Sequence, residues 1–518
     1  MSVSQNIDPA TIRPPSETAV ATPVDALQFS LGKWEASSRI SKPQSFLLAA
    51  TIFILVATRL WHLSSFGLFG DEVFTLWTSA QDWRSLFSSV VGDVVHPPLF
   101  YALLKTWIDL GGQSLFWLKL LPASLSIVAV VPFVLLCREL RLQPAALNLA
   151  LWLTGVNGFL INHGQELRMY SMLFLLTACS MWLSTRLING GGVRPKTQIA
   201  LFVVNLLLVF THYYGWAVVA LEFLAILMWK RSRVRGFAIA CGLLVLCFSP
   251  WVYFVAKAAG DNPSRVNFVW NQPPGFSDVA GYYANLNGPL SYRWKIFGTA
   301  FVMVLLLSPV VMWGWRANRN RRQNKQAANT FWWLALFAVA PVAVALIASH
   351  LLPQPVWAFR YLMVAAPAYF LMVAAAAFRL KSSRVRNAAV FLIVIWSGLS
   401  GFADVFNRDK IDWQPLVQRM IQTEPAQEGI DVYVTDANVG NTIQFYLDQA
   451  GETRFRVAVV PDLRLLGNQR CWLAFIRYNH DGGPQMQSVL RDSGYEVGDI
   501  IEQGAGGHKA VLFPIWKR

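Results

Sequence analysis

The apolar residues of this 518-residue chain fall into about eleven runs that are long enough, or nearly long enough, to cross a membrane. Such runs must be helical, because backbone groups in hydrocarbon have to be satisfied within the segment. The composition agrees, since 55% of the residues are hydrophobic and only 14% are charged, which excludes a series of soluble domains. We predict an α-helical polytopic membrane protein. Its predicted spans are 45–61, 115–136, 145–162, 167–185, 197–211, 215–229, 234–256, 295–315, 330–349, 357–378 and 387–402.

The positive charges predict how these spans are oriented. With the N-terminus inside, the five inner loops carry eighteen Lys and Arg residues against one acid, Glu139, as expected of cytoplasmic loops. A further apolar stretch, 98–110, would invert every later loop if it crossed, so we predict a helix lying at the outer surface. We expect a multi-pass protein of the cell (inner) membrane, with residues 1–44 as a disordered cytoplasmic tail.

The last part of the chain has a different charge. Residues 401–518 hold 12 Lys and Arg against 15 Asp and Glu, a net charge of −3, whereas the first 400 residues have a net charge of +18. We predict a transmembrane domain at 45–402 and a small extracytoplasmic α/β domain at 403–518. The positive charge lies between spans and forms no basic face for nucleic acid. The elements predicted in the small domain are helices at 412–421, 442–449 and 486–493, and strands at 431–435, 455–460, 471–477, 499–502 and 510–515.

The loop predicted after the first span, 62–114, carries polar residues near both ends. Asp71 and Glu72 are adjacent acids at its start, and His96 precedes two prolines near its end. A carboxylate at the membrane surface can deprotonate an acceptor hydroxyl or bind a divalent cation. The alternatives are structural: Gly-Asp-Glu ahead of an apolar run also begins surface helices, and a lone interfacial His is often only hydrated.

Further polar motifs lie at other outer span ends. Arg168 would be costly there unless it meets an anion, such as the phosphate of a lipid-linked substrate. A contact with Glu166 or with a lipid headgroup is the alternative. Glu166 and Tyr170 are predicted to be i, i+4 neighbours on one helix, whereas Glu222, in the middle of the sixth span, has no partner that the sequence identifies. The remaining outer motifs are His212-Tyr213 and Arg360-Tyr361.

Together these motifs resemble the GT-C superfamily of polyprenyl-phosphate-dependent glycosyltransferases, close to its bacterial protein mannosyltransferase and aminoarabinose transferase branches. The resemblance covers essentially the whole chain. It rests on the order of the acid pair, His-Pro-Pro-Leu, Glu-x-Arg-x-Tyr, His-Tyr and Arg-Tyr. Protein mannosyltransferases follow His-Pro-Pro-Leu with Gly-Lys, whereas this chain has Phe100-Tyr101, which is closer to the lipid A-modifying branch.

The resemblance implies an enzyme of EC class 2.4 that moves a sugar from a polyprenyl-phosphate carrier to a lipid, glycan or protein acceptor on the outer face, usually with inversion. Asp71 would be the general base or a metal neighbour, with Glu72 in support. The donor phosphate would be bound by His96, Arg168, Arg360 and Tyr361, with Glu166, Tyr170, His212 and Tyr213 as supporting residues. A divalent cation (Mg²⁺, Mn²⁺ or Zn²⁺), whose requirement the sequence leaves open, would be bound by Asp71, Glu72 and His96.

Two other classes of function are a polytopic transporter and a non-catalytic membrane scaffold of cell-envelope assembly. A transporter would place ionisable residues near the midplane and often contains an internal repeat, whereas these polar residues cluster at one leaflet. A scaffold would leave the acid pair, the His-Pro-Pro motif and the outer arginines without a shared purpose. The sugar and the acceptor are not identified by the sequence, because side chains that converge only in three dimensions select them.

Overall fold

The computed structural model describes residues 42–190, 195–261, 273–288, 295–406, 411–424, 429–459, 470–478, 488–504 and 508–517. The described residues up to 406 form a bundle of helices around one extended hydrophobic core and two smaller ones. Short 3₁₀ helices lie at Arg231–Arg233 and Tyr361–Ala365. The α-helices are α1 (Lys42–Leu60), α2 (Asp71–Ala80), α3 (Trp83–Asp93), α4 (Leu99–Gly111), α5 (Leu115–Val128), α6 (Val130–Glu139), α7 (Pro144–Val156), α8 (Gly158–Gln165), α9 (Tyr170–Asn189), α10 (Pro195–Thr211), α11 (Gly215–Trp229), α12 (Val234–Asp261), α13 (Phe276–Leu286), α14 (Lys295–Arg319), α15 (Lys325–Leu351), α16 (Ala366–Ala377) and α17 (Ser383–Phe406).

Each predicted span coincides with a helix or with two consecutive helices of the bundle. Among the described residues, seven helices are long and apolar enough to cross a membrane, and the bent pair α7–α8 would make eight. α10, α11 and the segment Tyr361–Ala377 are apolar but shorter. The 15 residues of α11 rise only about 22 Å against about 30 Å of hydrocarbon. The polytopic helical fold is therefore confirmed, while the number of eleven spans stays a prediction.

The bend between α7 and α8 has a local cause. The two axes meet at 59°, and Asn157 between them has an extended backbone and caps α8 by accepting from the Leu160 N–H. The buried guanidinium of Arg59 donates to the carbonyls of Thr154 (2.8 Å) and Gly155 (3.1 Å) at the end of α7, where carbonyls lack helical partners and a cation is favoured. The protein itself thus supplies the acceptors of this buried arginine.

The acid in the sixth predicted span has partners on two neighbouring helices. Ser180 of α9 donates to one carboxyl oxygen of Glu222 at 2.5 Å, and the Asn205 amide of α10 donates to the other at 2.6 Å. All three side chains are buried. We call this group the Glu222 cluster. It links α9, α10 and α11 by hydrogen bonds that apolar side chains do not make.

The loop between α1 and α5 contains α2, α3 and α4. The side chain of Asp82 caps α3, and α4 coincides with the predicted surface helix at 98–110. Phe100, Leu104 and Ile108, spaced by four residues, point into the bundle core. α4 is therefore amphipathic, as an interfacial helix must be, and its depth in the membrane stays a prediction.

The described residues between 411 and 517 form the sheet domain. Its strands are β1 (Ile430–Val434), β2 (Phe455–Val459), β3 (Cys471–Tyr478), β4 (Tyr495–Val497), β5 (Ile501–Gln503) and β6 (His508–Lys517), and its helices are α18 (Gln414–Thr423) and α19 (Ala437–Gln449). The strand order is β2-β1-β3-β6-β4, with β5 also on β6; β1 is parallel to β2 and β3, and β6 is antiparallel to its neighbours. Alternate residues of β3 enter separate cores on the two faces of the sheet.

The predicted elements of the sheet domain are largely present. α19 begins at Ala437, five residues earlier than predicted, because Asp436 caps it by accepting from two backbone N–H groups. The three-residue strand β4 was not predicted. Helical residues 488–492 lie inside the predicted helix 486–493, whose first two residues are outside the described part. Residues 1–41 of the predicted tail are also outside it, and 42–44 belong to α1.

Candidate active site

Asp71 is the first residue of α2 and faces two arginines from distant parts of the chain. Its carboxylate Oδ2 lies 3.5 Å from a guanidinium nitrogen of Arg360 and 3.9 Å from one of Arg168. The N-cap of α2 is Gly70, which has no side chain to cap the helix. The Asp71 carboxylate, 38% exposed, is thus directed to cations, an arrangement that favours the interpretation as a binding or catalytic group over the capping alternative.

Arg168 is buried and connects three parts of the site. One terminal nitrogen donates to the Asp71 carbonyl (3.1 Å) and to the Thr75 hydroxyl (2.8 Å), both in the first turn of α2. The other lies 3.3 Å from Nε2 of His96. Because two of its nitrogens are bound within the protein, Arg168 fixes α2 and His96 and adds positive charge beside the Asp71 carboxylate.

His96 is buried and is held from both sides. Its Nδ1 lies 3.3 Å from Oδ2 of Asp93 and its Nε2 faces Arg168. Burial lowers the pKa of His96 well below its usual value, and the Arg168 cation lowers it further. This fits a neutral imidazole whose Nδ1–H donates to Asp93 and whose Nε2 accepts from Arg168. The predicted contact of His96 with a donor phosphate would then act through Arg168.

Asp93 and Val94 were not singled out in the sequence, although an acid three residues before His-Pro-Pro was visible there. Burial raises the pKa of Asp93 to about 6. Val94 has a φ of 54°, a region that β-branched residues rarely adopt, and its carbonyl accepts from the Tyr213 hydroxyl at 3.3 Å. This strained turn directs both Asp93 and His96 into the site.

The second acid of the pair faces away from the first. Glu72 is buried and accepts a hydrogen bond from the Leu167 N–H at 2.8 Å, so it joins α2 to the turn that carries Arg168. The predicted cation ligands Asp71, Glu72 and His96 therefore do not converge. Within the described part of the chain, no three His, Cys, Asp or Glu residues are placed to hold a metal ion. A divalent cation at these residues therefore stays a prediction.

The prediction that Glu166 and Tyr170 share a helix is wrong. Glu166 has an extended backbone at the end of α8, and α9 begins only at Tyr170. His163 connects the two residues instead, because its Nδ1 lies 2.5 Å from a Glu166 oxygen and its ring lies 5.1 Å from that of Tyr170. The helix of the fourth predicted span accordingly starts later than 167. The non-helical turn before it directs the buried Arg168 side chain toward α2.

The His-Tyr and Arg-Tyr motifs meet in an aromatic group. The ring of Tyr361 lies 4.9 Å from that of His212, 6.4 Å from that of His96 and 6.5 Å from that of Tyr170. The Arg360 guanidinium lies 5.6 Å from the Tyr361 ring and its side chain is 41% exposed. Tyr213 points away toward Val94 and Trp251. The structure thus brings the predicted donor-site residues together and adds Tyr214, whose ring is 5.8 Å from Tyr361.

Several buried donors of this site have no partner among the described residues: Nε of Arg168, Nε of Arg360, the Tyr170 hydroxyl and Nε2 of His212. His212 Nδ1 accepts from the Tyr214 N–H, so a neutral ring carries its proton on Nε2 and offers it as a donor. We call Asp71, His96, Arg168, Tyr170, His212, Arg360 and Tyr361 the acid–arginine cluster. A cluster with unused donors and two cations is suited to an anion rich in acceptors, such as a phosphate.

No protein-family model matches the sequence, and no curated protein matches it. Solved structures do match. ArnT from Cupriavidus metallidurans, in the apo state and bound to undecaprenyl phosphate, is 13% identical with a TM-score of 0.50, covering 91% of this chain and 97% of that chain. The apo oligosaccharyltransferase of Archaeoglobus fulgidus is 12% identical with a TM-score of 0.50, covering 82% of this chain and 65% of that chain. Both neighbours belong to the GT-C superfamily, and the chain is a multi-pass membrane protein with the GT-C fold that its motifs predicted.

Proposed function

We propose that the protein transfers a sugar from a polyprenyl-phosphate carrier to an acceptor hydroxyl. The observation that carries this proposal is the position of Asp71 between Arg168 and Arg360, beside donors without partners in the described structure. A base next to an anion site is what displacement of a phosphate-linked group requires. The similarity to ArnT, solved with undecaprenyl phosphate, supports this class of donor.

The proposed reaction is a single displacement. Asp71 takes the proton of the acceptor hydroxyl while the hydroxyl oxygen attacks the anomeric carbon of the sugar. The bond between that carbon and the phosphate oxygen breaks, and the carrier leaves as a phosphate monoester. One base and a stabilised leaving group suffice, and the sugar inverts because no covalent enzyme intermediate forms. No protonating acid is required, because guanidinium groups bind the developing charge on the phosphate.

The two arginines have different proposed tasks. The partly exposed Arg360 is free to turn both terminal nitrogens toward an incoming phosphate, whereas Arg168 is buried and bonded to α2 and His96. We assign direct phosphate binding to Arg360. Arg168 then positions α2 and contributes charge, and its Nε, which has no partner among the described residues, is available to a ligand. Tyr361 and Tyr170 form the adjoining aromatic wall.

We also propose that this site faces the extracytoplasmic side of the inner membrane, as the loop charges predict. A single cysteine in the sheet domain can report its side of the membrane. Ala450 is suited to this because it is exposed at the end of α19, whereas Asp436 is unsuited because it caps that helix. In a variant without the five native cysteines, an Ala450→Cys thiol should react with an impermeant reagent added outside spheroplasts. Reaction only after permeabilisation would reverse the orientation.

The proposed activity is tested with purified protein, a radiolabelled polyprenyl-phosphate sugar and lipid, glycan or protein acceptors. We expect labelled acceptor and free polyprenyl phosphate to form in equal amounts. Donor binding without transfer would support the scaffold alternative. Movement of intact donor or sugar across proteoliposomes without transfer would support a transporter. Parallel reactions with EDTA determine whether a cation contributes to the reaction.

A further inference from the structure

The segment that leads into Asp71 is bound by the sheet domain. Residues 67–69 have no regular secondary structure, and backbone groups outside helices and strands must find other partners when buried. Gly67 N–H donates to the Asp412 carboxylate at 3.3 Å, and Gly70 N–H donates to the Thr442 hydroxyl at 2.9 Å. Between them, the Leu68 carbonyl accepts from the Tyr446 hydroxyl at 2.9 Å. Side chains of the sheet domain thus replace the hydrogen bonds of a regular element.

The side chains of the same segment divide between the two parts of the molecule. Leu68 belongs to the core of the helix bundle, and the next residue, Phe69, packs against the core of the sheet domain. Phe445 of α19 packs against both cores. The segment is therefore the layer at which the two cores meet.

Two glycines make this close approach feasible. A Cβ on Gly67 would clash with the Tyr446 hydroxyl and lie 2.7 Å from an Asp412 oxygen, so a larger residue requires these two side chains of the sheet domain to move. Gly70 has φ 49° and ψ −107°, a conformation open to glycine and strained for other residues. Gly70 is the N-cap of α2 and Asp71 is the first residue of that helix. The backbone dihedral angles of Gly70 therefore set the orientation of Asp71.

The helix bundle holds the other side of the segment. The Lys119 ammonium donates to the Phe66 carbonyl at 2.6 Å, and Glu72, directly after Asp71, accepts from the Leu167 N–H. The stretch from 66 to 72 is thus fixed at both ends by the bundle and in the middle by the sheet domain. Removal of the middle hydrogen bonds would loosen a glycine-containing stretch directly before the Asp71 carboxylate.

We propose that the sheet domain positions Asp71, with Thr442 and Tyr446 as the positioning residues. The proposal rests on the proposed function only in taking Asp71 as the reacting base. The Thr442 hydroxyl donates to the Asn438 carbonyl within α19 while it accepts from Gly70, so one buried hydroxyl transmits the position of α19 to the N-cap of α2. A misplacement of a reacting group by about 1 Å is sufficient to lower a rate about 100-fold.

Conservative variants of the full-length protein test this role. Thr442→Val and Tyr446→Phe remove one hydroxyl each with little change of shape, and Thr442→Ser keeps the hydroxyl. Matched controls are Thr423→Val and Tyr433→Phe, whose hydroxyls contact Arg419 and Asp431 within the sheet domain. The measurements are kcat and KM for donor, thermal stability, and hydrogen–deuterium exchange of the peptide that contains residues 66–72.

We expect kcat to fall about 10-fold in Thr442→Val and in Tyr446→Phe, with the donor KM within about two-fold and exchange of the 66–72 peptide accelerated. Thr442→Ser should restore both readouts, and the two controls should resemble the wild type. Unchanged exchange in both test variants would overturn the proposal. So would accelerated exchange with normal kcat, or equal losses in the controls.

Failure of the proposed function gives a different result. If Asp71→Asn retains transfer, Asp71 is not the base and the proposed chemistry fails. Hydrogen–deuterium exchange does not depend on turnover, so it still decides whether Thr442 and Tyr446 hold the segment. Normal exchange in their variants would then reject the positioning role on its own evidence.

Discussion

The helix bundle contains two buried polar groups that differ in how completely their hydrogen bonds are satisfied. In the Glu222 cluster, Ser180 and Asn205 supply a donor to each carboxyl oxygen, and all three side chains are buried. In the acid–arginine cluster, Asp71 and Arg360 are each more than a third exposed. Several donors of that cluster, the Tyr170 hydroxyl among them, have no partner in the described part of the chain.

The difference distinguishes a structural polar group from the proposed binding site. Buried polar atoms are nearly always paired, because an unpaired donor costs about 1–3 kcal/mol. The Glu222 cluster meets this requirement with its own residues and needs no ligand. The acid–arginine cluster does not meet it with its described residues, which leaves donors for a ligand or for water. An ionisable residue within a span is thus insufficient to indicate a functional site, and the balance of donors and acceptors around it is more informative.

The largest effect is expected from Asp71→Asn. Loss of the general base should lower the transfer rate by about 10²- to 10⁴-fold while donor binding persists. The thermal unfolding temperature should remain close to that of the wild type, because Asp71 is not the N-cap of α2. Transfer within a few-fold of the wild-type rate would show that Asp71 is not the general base. Asp71 would then be a structural acid, as Glu222 is expected to be.

Arg360→Ala should weaken donor binding without unfolding the protein. A charge-assisted hydrogen bond contributes about 1.5–3 kcal/mol, which corresponds to about a 10- to 150-fold rise in the donor dissociation constant. Arg360→Lys should recover only part of this, because an ammonium group lacks the two-pronged geometry. Titration with a polyprenyl phosphate measures the effect directly. Unchanged affinity in Arg360→Ala would exclude this residue from the phosphate site.

Glu222→Ala should show the opposite pattern. It leaves Ser180 and Asn205 without their shared acceptor and should lower stability by about 1–2 kcal/mol, with transfer within a few-fold of the wild type. Thermal denaturation in detergent and the transfer assay measure the two effects. The control is Glu139→Ala, since Glu139 accepts from Asn189 at an exposed site. A large loss of transfer in stable Glu222→Ala protein would contradict a purely structural role.

The smallest effect concerns the pH profile. Asp93 has a pKa raised to about 6 by burial, so its carboxylate accepts from His96 above that pH and gains a proton below it. A protonated Asp93 would donate to Nδ1 and move the ring proton to Nε2, opposite the Arg168 donor. We expect transfer to fall a few-fold as the pH drops through about 6, and Asp93→Asn to lose this step. An unchanged profile in Asp93→Asn would assign the step to another group.

The sequence determined the polytopic helical fold, because a hydrophobic run is a local signal: a segment in hydrocarbon must satisfy its own backbone groups. The orientation that the loop charges indicate stays a prediction. The predicted helices and most strands of the sheet domain are present, and the ordered motifs predicted the GT-C fold. The residues of the site were also chosen from the sequence, since charged and aromatic residues at span ends stand out against apolar segments. Asp71, Arg168 and Arg360 are far apart in the chain, and their expected meeting followed from the predicted topology together with the family resemblance.

Tertiary structure alone decided which of these residues face one another. Adjacent residues of an α-helix point in directions about 100° apart, so Asp71 meets the arginines whereas Glu72 binds the Leu167 N–H. The non-helical turn before Tyr170 separated Glu166 from the helix on which it was expected. The partners of Glu222 and the contacts of Thr442 and Tyr446 with residues 68–70 join segments from 17 to 378 positions apart. No local pattern encodes such pairs, because they depend on how helices and domains pack.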